Sequence, residues 1–92
     1  MMLALHLTKK YEKSLKKYLS IKKFSRFKLD EVILKLQNQI PLDKRFQDHA
    51  LKGKLSYQRE CHIYPDILLV YEVLEGELIL VLVNLGSHSE LF

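Results

Sequence analysis

Three histidines and one aspartate in the second half of the 92-residue chain lie beside glycine or proline turn signals: His49, His62, Asp66 and His88. Catalytic groups are often found at loop ends on a rigid scaffold. Because an unperturbed imidazole titrates at about 6.5, a pair of such groups can take a proton from one oxygen and give one to another near neutral pH. The pattern indicates general acid–base chemistry, and ordinary surface or capping histidines are the alternative.

Cationic and aromatic side chains accompany this set. Lys52, Lys54 and Arg59 are the nearest cations in the sequence, and such groups can hold a phosphodiester and stabilise charge that develops on its oxygens. Phe92, the last residue, has no evident role in a core and is a candidate for stacking on a base. These residues favour a nucleic-acid phosphodiester as the substrate, and solvated surface cations are the alternative for the two lysines.

Metal and thiol chemistry fit the sequence less well. Three histidines and an aspartate can ligate zinc, but His62 and Asp66 are separated by a proline turn, and no His-x-His or His-x-x-x-His pair occurs. Cys61 is the single cysteine, and strand alternation places it with Ile63 on the core side. We expect no metal, no other cofactor and no cysteine nucleophile.

Positive charge is concentrated near the N-terminus. Residues 1–28 contain nine lysines and arginines and a single acid, whereas the net charge of the whole chain is +4. Such asymmetry suggests a polyanion or an acidic partner docked against the first third of the chain. A solvated lysine-rich helix face is the alternative.

The composition is that of a globular domain, with 48% hydrophobic and 28% charged residues. No apolar run approaches the roughly 20 residues that span a bilayer, and residues 1–7 are too short for a signal sequence. We therefore expect one soluble, cytoplasmic domain over residues 1–92, without a membrane partner.

Hydrophobic periodicity predicts one strand, two helices and then three further strands. The first helix starts at the N-cap Thr8 and runs to Leu19, and the second is capped by Ser25 and ends before Pro41. The strands are predicted at residues 2–7, 57–63, 67–73 and 78–85. This order indicates an α+β fold, a mostly antiparallel sheet with a helical hairpin on one face.

Strand alternation also places part of the candidate site. Cys61 and Ile63 are predicted to face the core, so His62 points away from it. Asp66 begins the partner strand across the turn, and a carboxylate near an imidazole can fix its tautomer. We therefore expect His62 and Asp66 to act together.

Three segments of the chain resemble a known family: residues 48–53 (DHALKG), 57–71 (YQRECHIYPDILLVY) and 85–92 (LGSHSELF). They are similar to the YafQ-like branch of the RelE/ParE toxin superfamily, and the helical hairpin matches in pattern and basic character only. The resemblance implies a RelE-like fold and a small endoribonuclease that cuts messenger RNA, typically on the ribosome, without a metal. It also implies the toxin of a toxin–antitoxin pair.

The resemblance implies roles for particular residues. His49, His62, Asp66 and His88 match the family's acid–base and phosphate-contact positions, and Phe92 matches its C-terminal aromatic residue. The implied reaction is attack of a ribose 2′-hydroxyl on the adjacent phosphate, which makes RNA the substrate. Base and acid are not assigned among His49, Asp66 and His88, and His62 is expected to support or orient the phosphate.

Two positions depart from the family's pattern. Family members often carry an arginine two residues before the equivalent of Gly86, where this chain has Asn84, and some carry a tryptophan where it has Ile67. Asn84 is therefore the candidate RNA-binding residue in place of that arginine, but its amide cannot form a charge-assisted hydrogen bond to phosphate. We expect both departures to affect the strength and the sequence preference of cleavage.

The family also implies a cognate antitoxin whose C-terminal segment wraps the toxin and covers or disables the site. The basic first third fits an acidic antitoxin tail and ribosomal RNA equally well. A heterotetramer of two toxins and two antitoxins is compatible with the composition.

Two other functions stay open at the level of sequence. One is a non-nuclease poison of DNA gyrase, of the ParE type, although such a poison has no need of three titratable groups near one turn. The other is a non-enzymatic RNA- or protein-binding module, which the basic helical hairpin alone would support.

Overall fold

The computed structural model describes residues 2–92. Its regular elements are β1 (Ala4–Leu7), α1 (Lys9–Leu19), α2 (Arg26–Gln37), β2 (His49–Ala50), β3 (Arg59–Tyr64), β4 (Ile67–Leu74), β5 (Ile79–Gly86) and α3 (His88–Leu91). Three short 3-10 turns lie at Lys44–Phe46, Gly53–Leu55 and Glu75–Glu77. The predicted α+β class is confirmed. No helix in this part of the chain is long and apolar enough to cross a bilayer.

The strands form a single sheet in the order β1-β5-β4-β3-β2. β1 runs parallel to β5, and the other neighbours are antiparallel, which confirms the mostly antiparallel prediction. β4 and β5, the two longest apolar runs, lie inside the sheet and not at its edges. Near-continuous apolar runs are typical of strands in the interior of a sheet.

Two short elements were not predicted. β2 has two residues and pairs His49 with Glu60 and Ala50 with Arg59. α3 is one turn at the end of the chain. Both are too short to show a hydrophobic period, which is the signal that identifies strands and helices in a sequence.

The helices begin where the cap residues predict. The hydroxyl of Thr8 accepts a hydrogen bond from the Tyr11 backbone N–H (3.0 Å) and donates to the Val83 carbonyl (2.6 Å), so this cap also ties α1 to β5. Ser25 caps α2 by accepting from the Lys28 N–H at 3.3 Å. α2 ends at Gln37, before the predicted boundary at Pro41.

The core lies between the helical hairpin and one face of the sheet. Its strand residues include Cys61, Ile63, Leu69, Tyr71, Leu80, Leu82 and Leu85. The opposite face, called the outer face below, carries the residues that alternate with these on β3 and β4, namely Glu60, His62, Leu68 and Val70. The predicted separation of Cys61 from His62 is therefore confirmed.

Candidate active site

A cleft of about 400 Å³ gathers residues from β2, β3 and the C-terminal turn. Its lining includes four residues of the predicted set, His49, Lys52, His88 and Phe92, together with Glu60. They come from segments nearly 40 positions apart in the chain. The fold thus brings two of the three candidate histidines to one surface.

His49 is bound at both ring nitrogens. Nδ1 lies 2.6 Å from the Gln47 carbonyl oxygen, and Nε2 lies 2.8 Å from Oε1 of Glu60. Glu60 is the residue directly opposite His49 in the β2–β3 pairing, and its side chain is 10% exposed. Sequence reasoning missed Glu60. Strand alternation places Glu60 on the same face as His62, but the sequence does not show that Glu60 pairs with His49.

His88 and Phe92 lie four positions apart at α3, so they share one side of this turn. Their ring centroids are 5.3 Å apart with an interplanar angle of 46°, a tilted aromatic contact. Phe92 is 53% exposed, so its ring is accessible to a base. The pair joins a titratable group to a stacking surface.

Glu90 holds α3 in place. Its carboxylate accepts hydrogen bonds from Lys17 and from the Tyr18 hydroxyl, and it completes a capping box with Ser87. The bond from Lys17, followed by the Ser87 backbone N–H and the Tyr18 hydroxyl, lowers the pKa of Glu90 to about 2. Through these contacts α1 positions His88 and Phe92.

His62 and Asp66 do not line this cleft. His62 lies in a neighbouring cleft with Lys28 and Arg45, and Asp66 lies in a third, beside Tyr18. Nδ1 of His62 is 3.1 Å from the Pro65 carbonyl oxygen. A carbonyl, not the Asp66 carboxylate, therefore fixes the tautomer of His62, which corrects our expectation. Because a carbonyl only accepts, the ring donates from Nδ1, and Nε2 is an acceptor whenever the ring is neutral.

The predicted RNA contacts differ in their surroundings. Lys52 lines the cleft, whereas Lys54 lies in the next turn and does not. Arg59 donates from Nε to Oδ1 of Asp48 at 3.2 Å. The amide oxygen of Asn84 accepts from Ser14 (3.0 Å) and from a backbone N–H, which turns it toward α1. The RNA contacts of these four residues stay predictions.

Cys61 is fully buried, and burial chiefly raises the pKa of its thiol to about 12. It is therefore protonated at neutral pH, as its predicted place in the core implies. Within residues 2–92, no three His, Cys, Asp or Glu side chains are arranged to hold a metal ion.

Solved structures share this fold. A copper-bound point mutant of a toxin from Helicobacter pylori is 53% identical, with a TM-score of 0.90 over 99% of this chain and 100% of that chain. The matched chain in the DinJ–YafQ toxin–antitoxin complex of Escherichia coli is 26% identical, with a TM-score of 0.87 over 100% of this chain and 99% of that one. The fold is thus that of the small bacterial toxins of the RelE-like class.

The sequence comparison then fixes the family. A family model described as the bacterial toxin of a type II toxin–antitoxin system, YafQ, matches residues 3–92. The chain therefore belongs to the YafQ family of bacterial toxins, which confirms the resemblance seen in the sequence.

One curated relative is the mRNA interferase toxin YafQ of Escherichia coli. It is 32% identical over 59 residues, which are 64% of this chain and 62% of the relative. The matched stretches span less than two thirds of the length of the curated relatives.

Proposed function

We propose that this protein is a metal-independent endoribonuclease that cleaves messenger RNA as the toxin of a type II toxin–antitoxin system. The observation that carries the proposal is the cleft, where His88 and Phe92 lie beside Lys52. A proton-transfer group, a stacking ring and a cation are the parts that cleavage of a single-stranded phosphodiester needs. The name of the Escherichia coli relative, an mRNA interferase, supports the same reaction.

The proposed reaction is an internal transfer at phosphorus. The ribose 2′-oxygen forms a bond to the adjacent phosphorus and the bond from phosphorus to the 5′-oxygen breaks, which leaves a 2′,3′-cyclic phosphate and a 5′-hydroxyl. One group removes the proton of the 2′-hydroxyl, and another gives a proton to the leaving 5′-oxygen. Each positioned proton transfer contributes about 10²–10⁴-fold to the rate.

The geometry supports different roles for the predicted residues. Within the described chain the His88 ring packs against the ring of Phe92 and forms no hydrogen bond at its nitrogens, so this ring is available to transfer a proton. Nε2 of His62 has no hydrogen-bond partner within residues 2–92 and accepts a proton when the ring is neutral, and Asp66 is exposed at the adjoining turn. Lys52 and Phe92 both line the cleft, and we assign the phosphate contact to Lys52 and base stacking to Phe92.

The partners belong to the same proposal. We infer a cognate antitoxin, because the Escherichia coli relative was solved in complex with one. Translated messenger RNA on the ribosome is the proposed target, which places the protein in the cytoplasm. The exposed lysines of α1 supply the positive charge that either partner would contact.

The test compares induced expression of the wild type, His88→Ala and His6→Ala. His6 is an exposed histidine of β1, at the opposite edge of the sheet from β2, and serves as the matched control. We expect growth arrest and new transcript ends in primer extension for the wild type and His6→Ala. Both should be lost in His88→Ala.

Arrest that persists in His88→Ala without new transcript ends would contradict the proposal. It would indicate a binding poison, and gyrase supercoiling assays would then test the ParE-type alternative.

A further inference from the structure

Glu60 is the only buried charged side chain of the described residues, and it contacts His49. We propose that Glu60 is a positioning residue that holds the His49 ring doubly protonated. His49 then supplies a fixed positive charge at the wall of the cleft and does not transfer protons. The consequence for cleavage rests on the proposed ribonuclease function, whereas the state of the ring rests on geometry alone.

The hydrogen-bond partners of His49 fix its protons. The Gln47 carbonyl oxygen can only accept, so the 2.6 Å contact requires a proton on Nδ1. The 2.8 Å contact between Nε2 and Oε1 of Glu60 also requires a proton, because two lone pairs at that distance repel each other. Its length is typical of a charge-assisted N–H···O bond. The proposal places the shared proton on the ring, so that Glu60 is the anion of the pair.

Burial makes the pairing necessary for Glu60. The second carboxylate oxygen, Oε2, is buried without a hydrogen-bond partner in residues 2–92. An isolated carboxylate in such surroundings is costly, and a cation in contact with it offsets much of that cost. The other ionisable side chains lining the cleft are Lys52 and His88, and neither forms an ion pair with Glu60.

Neighbouring contacts hold the pair in place. Asp48, the residue before His49, accepts from the Tyr71 hydroxyl (2.5 Å) and from Arg59 (3.2 Å) with one oxygen. Tyr71 is a buried core residue, so these bonds anchor the start of β2 to the core. With both ring nitrogens engaged, His49 has no free position for a substrate proton. Proton transfer is left to the other candidates.

The first experiment observes the ring directly. Long-range proton–nitrogen NMR spectra of the ¹⁵N-labelled protein at pH 7 report the charge of each histidine ring, and His49→Gln identifies the His49 signals. We expect both ring nitrogens of His49 to be protonated in the wild type. In Glu60→Gln the amide can donate to Nε2, so the ring should become the neutral Nδ1–H form. Glu72→Gln, at a partly buried glutamate of β4 outside the cleft, is the control and should change nothing.

A neutral His49 ring in the wild type would overturn the proposal, and this measurement does not depend on the folding of Glu60→Gln. A ring that stays doubly protonated in a folded Glu60→Gln variant would also overturn it. The backbone amide spectrum of that variant shows whether it has folded.

The second experiment asks whether Glu60 acts through His49. Cleavage of a transcript on purified ribosomes is measured for Glu60→Gln, His49→Gln and the double variant. We expect each single variant to lower kcat/KM about tenfold, which corresponds to one charge-assisted contact, and the double variant to lose no more. Multiplied losses of about a hundredfold would show that the two residues act independently. A wild type that cleaves nothing would refute the proposed function and leave the NMR result standing.

Discussion

A histidine can transfer a proton only through a ring nitrogen that is free, and the three candidate histidines differ in this respect. Within residues 2–92, His49 is hydrogen-bonded at both nitrogens and His62 at Nδ1 alone, whereas the His88 ring packs against that of Phe92 without a hydrogen bond at its nitrogens. Sequence spacing treats the three alike, because residue type and turn position say nothing about partners. The outer-face placement of His62 followed from alternation, but the difference between the rings is a property of the fold.

Phe92 gives a prediction at the same scale. We expect Phe92→Ala to lower cleavage by about 5–150-fold, because stacking of a base on an aromatic ring contributes about 1–3 kcal/mol. Thermal stability should change little, since the ring is 53% exposed. Phe27→Ala on α2 is the matched control, because that ring is 80% exposed and lies outside the cleft. Equal cleavage by the two variants would refute a stacking role for Phe92.

At the scale of elements, the sequence predicted the longer helices and strands and missed the shortest ones. Thr8 and Ser25 located the starts of both long helices, because a side-chain cap is a local contact. Alternation and apolar runs located β3, β4 and β5, because these patterns also lie within the sequence of the element itself. β2 escaped prediction, and with it the pairing of His49 and Glu60, because a two-residue strand is defined only by its neighbour across the sheet.

α3 provides a prediction about pH. The contacts of Glu90 lower its pKa from the ordinary 4.5 to about 2 in the folded protein. Because the folded value is the lower one, this contribution to stability is present above pH 4.5. It is lost as the pH falls from 4.5 toward 2. We expect the wild type to melt a few degrees above Glu90→Gln at pH 7, because exposed ion pairs contribute little, and the two to converge near pH 2.

Melting curves at pH 7, 4 and 2 check this expectation, with Glu77→Gln, at an exposed glutamate between β4 and β5, as the control. The NMR signals of His88 and Phe92 should shift over the same pH range, since Glu90 positions their turn. Curves for the wild type and Glu90→Gln that stay parallel down to pH 2 would contradict the proposed anchoring.

At the scale of the whole molecule, the fold joins the basic segment to the candidate site. The basic face consists of the exposed lysines of α1, namely Lys9, Lys10, Lys13, Lys16 and Lys17. Tyr11 and Tyr18 on the same helix are buried, so the lysines face solvent. Lys17 contacts Glu90 of α3, and the basic face therefore adjoins the turn that carries His88 and Phe92. The charge asymmetry was visible in the sequence, but its place beside the site was not.

This arrangement predicts that RNA bound at the cleft continues over the basic face. Binding of a single-stranded RNA oligonucleotide to His88→Ala, which prevents cleavage, is measured at several salt concentrations. Each lysine that no longer neutralises a phosphate should reduce the slope of log affinity against log salt by about 0.7, because fewer counterions are released. The double substitution Lys13→Gln with Lys16→Gln should therefore lower the slope by about 1.4. Lys35→Gln with Lys44→Gln removes the same charge outside the basic face and should change the slope less. If both pairs change it equally, RNA does not follow α1, and an acidic antitoxin is the partner that the basic face fits.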